Sequence, residues 1–376
     1  MTVILSPAFR RETAHADMLE RRLCRYHPRV RGAVRALALR HARIADLAAS
    51  FPALLFALAM PRPALDRARV LARVIDGCSL TEAADAADLP MWLRKLPPEA
   101  FVRPIADLPN GELFRHRIAN HLPRAPKLAA TWLQLVADVA FLAHEPAALW
   151  IAREFVRAPR HVPLTRLRLI CLWSWFSLQP ATFGHELIRR LWTSDMQMSA
   201  ALAAADDWLT MIALHANLGR APIADMWLKA GHLAGYDFLP LISVSAIVEE
   251  ADAMRNCLKT YGYAVAHNRS RLWSVRRNGA RVATLRVGRY RDDPLLNIVE
   301  LEGADNTQAA PELWLIARQW LATHDLLQID IAERRWGSAP LDRATWLSLW
   351  RPYWLAKRRI PQWLPMMPSR NALDAL

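Results

Sequence analysis

Asn278-Gly279 constrains the fold of this chain more than any other pair of residues. Both positions tolerate positive φ, and they stand between the runs Arg271-Leu-Trp-Ser-Val-Arg-Arg277 and Ala280-Arg-Val-Ala-Thr-Leu-Arg-Val287. Two such runs around Asn-Gly predict a β-hairpin closed by a two-residue type I′ turn. A turn of that length fixes the register. It sets Arg277 opposite Ala280, Arg276 opposite Arg281, Val275 opposite Val282, Ser274 opposite Ala283 and Trp273 opposite Thr284. A third strand is predicted over Leu295 to Leu301, ending at Glu302-Gly303. Upstream, Ile247, Ala251, Met254, Leu258 and Tyr261 recur in steps of four and three, the phase of one helix face. Downstream, Leu313, Ile316, Ala317, Trp320 and Leu321 mark a second helix. The reading is helix, three-stranded antiparallel meander, helix: a small α+β unit.

Before this unit the chain reads as helices broken by Pro and Gly, with strand signals nearly absent up to Pro240. The first 45 or so residues interleave Arg21, Arg22, Arg25, Arg29, Arg31, Arg35, Arg40 and Arg43 with Leu23, Val30, Val34, Leu37, Leu39 and Ile44. Such a helix presents either a phosphate-binding face or a solvated basic face over an apolar stripe. Ser79 with Glu82 three residues on predicts a capping box after the turn at Gly77, in a helix pair of the kind found in helix-turn-helix units and in bundles alike. Trp92, Trp132, Trp150, Trp173, Trp175, Trp192, Trp208 and Trp227 have no fixed period, so a bundle or an irregular solenoid fits better than a regular repeat. At helical phase with Leu and Ala, most of these indoles are expected in the core. After Asp342 a tail mixes Trp346, Trp350, Trp354 and Trp363 with Lys357-Arg-Arg, suited to packing back on the helices or to an anionic partner.

The formal charge of +14 invites a nucleic-acid or anionic-surface partner. Only five of the 49 basic residues are Lys, a bias that a GC-rich coding sequence also produces. Four widely separated cysteines, Cys24, Cys78, Cys171 and Cys257, suggest neither disulfides nor a zinc site. The longest apolar runs, at 51–60 and 169–178, are half the roughly 20 residues needed to span a bilayer. The start lacks the pattern of a secretory signal. A cytoplasmic protein without membrane insertion is expected.

No Gly-rich phosphate loop, zincin helix or Gly-x-Ser-x-Gly elbow is present, and no metal or cofactor is expected. The chemistry that remains sits on the helix before the hairpin. Taken as one continuous helix, it stacks Glu250, Cys257 and Tyr261 on a stripe, with His267 in the following loop. These four are the catalytic candidates, although a mid-helix Cys257 favours a buried structural thiol. Arg276 and Arg281, directly opposed, repel unless an anion or carboxylate lies between them. With Arg289 they form the candidate phosphate patch, unless Glu300 or Glu302 neutralises it.

The stretch Met254-Arg-Asn-Cys257-Leu-Lys-Thr-Tyr261, then Ser270-Arg-Leu-Trp-Ser274-Val-Arg, Val282-Ala-Thr284-Leu and Asn306 ahead of the last helix, resembles the PcfJ-like family over residues 243–325. That family carries a Met-x-His-Cys-Val-x-x-Tyr helix, and its name comes from a gene of a conjugative plasmid transfer region. Its molecular activity is not settled. The resemblance implies that Met254, Cys257, Tyr261, Ser270, Ser274, Thr284 and Asn306 are the motif positions. The chain has Asn256 where the family has His. If a His-Cys pair acts in the family, this chain lacks half of it.

The reading is therefore a helical domain over 1–240, a PcfJ-like α+β domain over 241–340 and a Trp- and Arg-rich tail over 341–376. The leading function is a non-enzymatic nucleic-acid-binding accessory protein linked to mobile-element DNA processing. A Cys257-dependent enzyme and a scaffold for a protein partner are the alternatives.

Overall fold

The computed structural model describes residues 16–289, 295–329, 331 and 343–358. Its helices are α1 (Pro28–Ala38), α2 (Ala42–Ser50), α3 (Pro52–Ala59), α4 (Arg67–Asp76), α5 (Leu80–Ala86), α6 (Glu112–Ile118), α7 (Ala129–Leu142), α8 (Glu145–Arg157), α9 (Leu167–Ser177), α10 (Phe183–Glu186), α11 (Met198–Leu218), α12 (Val244–Met254), α13 (Gly262–Ala266), α14 (Pro311–Ala322) and α15 (Arg343–Lys357). Five strands form one antiparallel sheet in sequence order: β1 (Gly231–Leu233), β2 (Tyr236–Pro240), β3 (Ser270–Arg277), β4 (Ala280–Arg289) and β5 (Leu296–Glu302). The architecture is α+β with a helical N-terminal region. No described helix is long and apolar enough to cross a membrane.

The helical elements follow from local chemistry. In α1 the stripe Val30, Val34 and Leu37 is buried while Arg29 and Arg35 face solvent. α3 is apolar all round and its residues 52–58 are all buried, so it runs through a core rather than over it. Gly77 ends α4 in the left-handed region (φ 89°), and the Ser79–Glu82 capping box opens α5. Except for Trp227, the eight tryptophans of this half are buried. Their indole N–H groups explain how so many fit: Trp92 donates to the Pro109 carbonyl, Trp150 to that of Met196 and Trp208 to that of Gly184.

The described chain divides into two compact units, one of Met1–Trp175 with Trp192–Leu202, the other of Phe176–Leu191 with Ala203–Leu376. This division does not coincide with the break expected near residue 240. Composition changes where strands begin, but packing does not: Leu214 of α11 belongs to the same buried cluster as Val244, Ile247 and Val265. Nor does the helical part of the tail stand apart, since Trp346, Leu349, Trp350 and Tyr353 of α15 are buried and the Phe176 ring lies 5.9 Å from that of Trp350. The basic run after Lys357, Arg358 excepted, and Trp363 lie outside the described residues.

The sheet has two more strands than the expected three. β1 and β2 are joined by Ala234-Gly235, both at positive φ (49° and 79°), a hairpin turn hidden by the alanine. Asn278 and Gly279 adopt positive φ (50° and 79°) as the type I′ turn requires. Arg277 pairs with Ala280 and Arg276 with Arg281 as expected, but a bulge at Val282 then shifts the register. Val275 meets Ala283, Ser274 meets Thr284 and Trp273 meets Leu285. A second bulge, at Val299, separates the Arg286–Glu300 and Val287–Ile298 pairs. The bulges sort the faces. Phe238, Trp273, Val275, Ala283, Leu285, Val287, Ile298 and Leu301 point to one side, under Leu313, Ile316, Ala317, Trp320 and Leu321 of α14. Phe238 stacks on Trp320 at 4.4 Å. Leu272 packs with α12 on the other side, and the polar Ser274, Thr284 and Arg286 alternate with the apolar row.

This register makes two glycines unequal. A Cβ on Gly279 meets open space, so Gly279→Ala costs only the left-handed conformation, about 1 kcal/mol. A Cβ on Gly288 would lie 2.5 Å from the Arg269 carbonyl oxygen, a backbone atom, so Gly288→Ala costs about 2 kcal/mol or more. Urea midpoints of the two variants rank them; the reverse order would contradict the register.

Candidate functional site

The helix before the hairpin is shorter than its apolar phase predicts, and the site exists because of that. Ser243 caps α12 by accepting the Ala246 N–H, and the helix stops at Met254. Arg255 then turns into the left-handed region (φ 50°). What holds this bulky residue there is a bidentate ion pair to Asp305, which sits with Asn306 in the turn after β5, both at φ 56°. Asn256 and Cys257 follow, and Leu258–Tyr261 form a short 3₁₀ turn.

Asn256, Cys257 and Tyr261 of this turn are tied to the polar sheet face or to the 304–306 turn. Asn256 Nδ2 donates to Thr284 Oγ1 (2.9 Å) and its Oδ1 accepts the Leu258 N–H (3.2 Å). The Cys257 N–H donates to Asn306 Oδ1 (3.4 Å), and its thiol lies 3.9 Å from Tyr261 Oη. Tyr261 in turn donates to Glu300 Oε2 (2.6 Å), and Arg286 donates to Glu300 Oε1 (2.5 Å) with its guanidinium 4.8 Å over the tyrosine ring. Arg286 also reaches Ser270 Oγ (3.4 Å). Burial, then the bond to Glu300, push the Tyr261 phenol well above its ordinary range. Between these groups is a recess lined by Asn256, Cys257, Tyr261, Thr284, Glu302 and Asn306. Burial, then the charge of Glu300, raise Glu302 above the usual carboxylate range, with Arg286 opposing.

The structure thus gathers the motif positions Cys257, Tyr261, Thr284 and Asn306 at one place, with Ser270 joined through Arg286. Met254 is buried in the core, and Ser274 is buried farther along the polar face, accepting Arg276 Nε at 3.2 Å. Other expectations need correcting. Cys257 is neither mid-helix nor buried: the left-handed Arg255 breaks the stripe and turns the thiol out to solvent. The same break removes Glu250 from the stripe. It is fully buried and accepts Arg281 Nε at 2.8 Å. His267 is buried beside Tyr263, its Nδ1 2.9 Å from the Tyr263 carbonyl, and does not line the recess. Of the opposed arginines, Arg281 finds its counter-charge in Glu250, not in Glu300 or Glu302, which stand opposite Arg286 and Thr284. Arg289 pairs with Leu296 at the far end of β4, eight residues or about 26 Å from Arg281, so the three arginines are not one patch.

For thiol chemistry the surroundings are poor. Arg255 is held by Asp305 and Lys259 by Asp252 (2.8 Å), so both neighbouring cations are occupied, and the thiol's partner is a phenol that already donates to a carboxylate. Arg286 and Glu302 are the site residues that motif reading passed over. Their signal was the alternation Thr284, Arg286 on one strand and Glu300, Glu302 on the next, visible once the bulges are placed.

No protein-family model matches the chain, and neither does any curated protein or solved structure.

Asn256 bridges two partners with one donor and one acceptor, which is also what a neutral imidazole offers. Asn256→His is expected to stay within about 0.5 kcal/mol of the parent, whereas Asn256→Ala, which strands the Leu258 N–H, loses about 1–2 kcal/mol in chemical denaturation. Glu302 supplies a pH-dependent counterpart. Its carboxyl ionises less readily folded than unfolded, so ionisation costs stability above that raised value and costs nothing below about pH 4, where both states are protonated. Glu302→Gln should melt higher than the parent at pH 7, and the two melting curves should converge as the pH falls to 4.

Proposed function

We propose that the chain is a non-enzymatic accessory protein that binds nucleic acid through surface arginines, foremost the half-buried Arg276 and the exposed Arg277 at the tip of the β3–β4 hairpin. The observation that carries this reading is the state of Arg276 and Arg277. Arg276 donates to the Ser274 hydroxyl, and Arg277 to the Tyr236 hydroxyl at 3.3 Å while lying over its ring. Among the described residues both have only neutral partners, and Asp237, opposite Arg276 on β2, is engaged by His232 at 2.7 Å. Two guanidinium groups at an exposed turn, on a chain of charge +14, suit a polyphosphate backbone. Arg281 has a different task, since it compensates the buried Glu250. Resemblance to a family named for a conjugative transfer gene supports mobile-element DNA in the cytoplasm as the setting.

Fluorescence anisotropy against single-stranded and duplex DNA across a salt series tests this. Binding should weaken steeply with salt, and Arg276→Glu with Arg277→Glu should reduce affinity by at least about tenfold and flatten the log–log salt slope by about 2. That pair is chosen because Arg281→Glu would leave Glu250 buried beside a like charge. Absence of binding at physiological salt, or indifference to the double substitution, would sink the proposal.

A further inference from the structure

We propose that the recess between the 256–261 turn and β4–β5 reads the hydrogen-bonding edge of an unstacked nucleobase. In this assignment Glu302 accepts an N–H of the base, and Thr284 and Asn306 donate to the acceptor beside it. The inference rests on the nucleic-acid reading above and adds a site to it.

The groups around the recess have hydrogen-bonding capacity left over. Tyr261, Glu300 and the terminal nitrogens of Arg286 satisfy one another or Ser270. Four groups remain. The Glu302 carboxylate has no hydrogen-bond or ion-pair partner among the described residues, although the residue is only partly exposed. Thr284, 5% exposed, uses its oxygen to accept from Asn256 and keeps its hydroxyl hydrogen to donate. Asn306 spends its carbonyl on the Cys257 N–H and keeps its amide hydrogens. Arg286 Nε is buried with no partner. Acceptor and donors side by side complement a ligand that presents a donor beside an acceptor.

Phosphate and ammonium suit this arrangement less well. A phosphate would face two carboxylates in the recess, Glu300 and Glu302. A bare ammonium would suit Glu302 and leave the donors unmet. The Watson–Crick edge of a base offers both kinds of group, and an unpaired base can bring that edge to a protein. Cys257 and Asn306, which line the recess, are both exposed, so an edge can reach it from solvent.

Two further observations agree. Two wall residues, Asn256 and Asn306, each follow a non-glycine residue in the left-handed region, Arg255 (φ 50°) and Asp305 (φ 56°), and these two are held by their ion pair. Strain of this kind gathers where a ligand must be met by preset groups. Placement is the second. Arg276 lies two residues, about 7 Å, along β3 from Ser274, the cross-strand partner of Thr284, so a strand whose phosphates meet the hairpin tip brings its bases toward the recess.

The test compares two oligonucleotides of equal length, about 12 nucleotides: oligo-dC, whose bases carry an amino group beside a ring nitrogen, and an abasic strand with the same phosphates. Anisotropy with the full chain should give about tenfold tighter binding to oligo-dC. Glu302→Ala, which deletes the acceptor, should remove most of that preference, and Asn306→Gly, which keeps the left-handed backbone and deletes the side chain, should reduce it. Affinity for the abasic strand should change little in either variant. If neither strand binds, the nucleic-acid reading falls and this inference with it. Equal binding of both strands by the parent overturns the base-edge site alone, as does a preference that survives both substitutions.

Discussion

A carboxylate with no access to water, Glu250, sets the terms for the second half of the molecule. Burying it is costly, and the cation that pairs with it, Arg281, is presented by β4 because the Asn278-Gly279 turn places that residue next to α12. Helix and hairpin are therefore tied by charge as well as by the apolar contacts of Ile247, Ala251 and Leu272. Removing either partner would strand the other, whereas the exposed Arg255–Asp305 pair acts locally on a turn. The difference between these two pairs is burial: one fixes how α12 lies on the sheet, the other fixes how the chain leaves α12.

Much of this half was legible from residues alone, because its signals are local. Asn278-Gly279 names its own turn type, and the spacing of Leu313, Ile316, Ala317, Trp320 and Leu321 names a helix face whose five residues are all buried. What could not be read were departures from period. The extra residue at Val282 leaves no trace in composition, yet it moves Thr284 from opposite Trp273 to opposite Ser274. Arg255 ends a helix that its neighbours' propensities would continue, and the reason, Asp305, is fifty residues away. A periodic pattern carries no record of contacts at that range, so Cys257 read as buried when it is exposed.

The candidate site shows the same limit from another side. Motif positions carried by the family resemblance proved to be neighbours, with Cys257, Tyr261, Thr284 and Asn306 around one recess. Arg286 became visible only with strand pairing, and Glu302, read from the residues as a possible counter-charge to the hairpin arginines, faces Thr284 instead. Position 256 is instructive. A His-to-Asn change next to a cysteine reads as a lost catalytic partner, but here the side chain braces a turn against Thr284, a task for which either residue has the right donor and acceptor.

The opposite edge of the sheet has its own logic. β1 pairs with β2 only from Tyr236 to Phe238, which leaves the outer rim of Leu239 and Pro240 without a neighbouring strand. Proline has no N–H to offer there, and the ladder it ends is too short to template another. This rim is closed to strand addition, so copies of the chain crowded together during synthesis have no foothold at Pro240 for edge-to-edge growth, even though half-exposed Leu239 and Ile242 flank it.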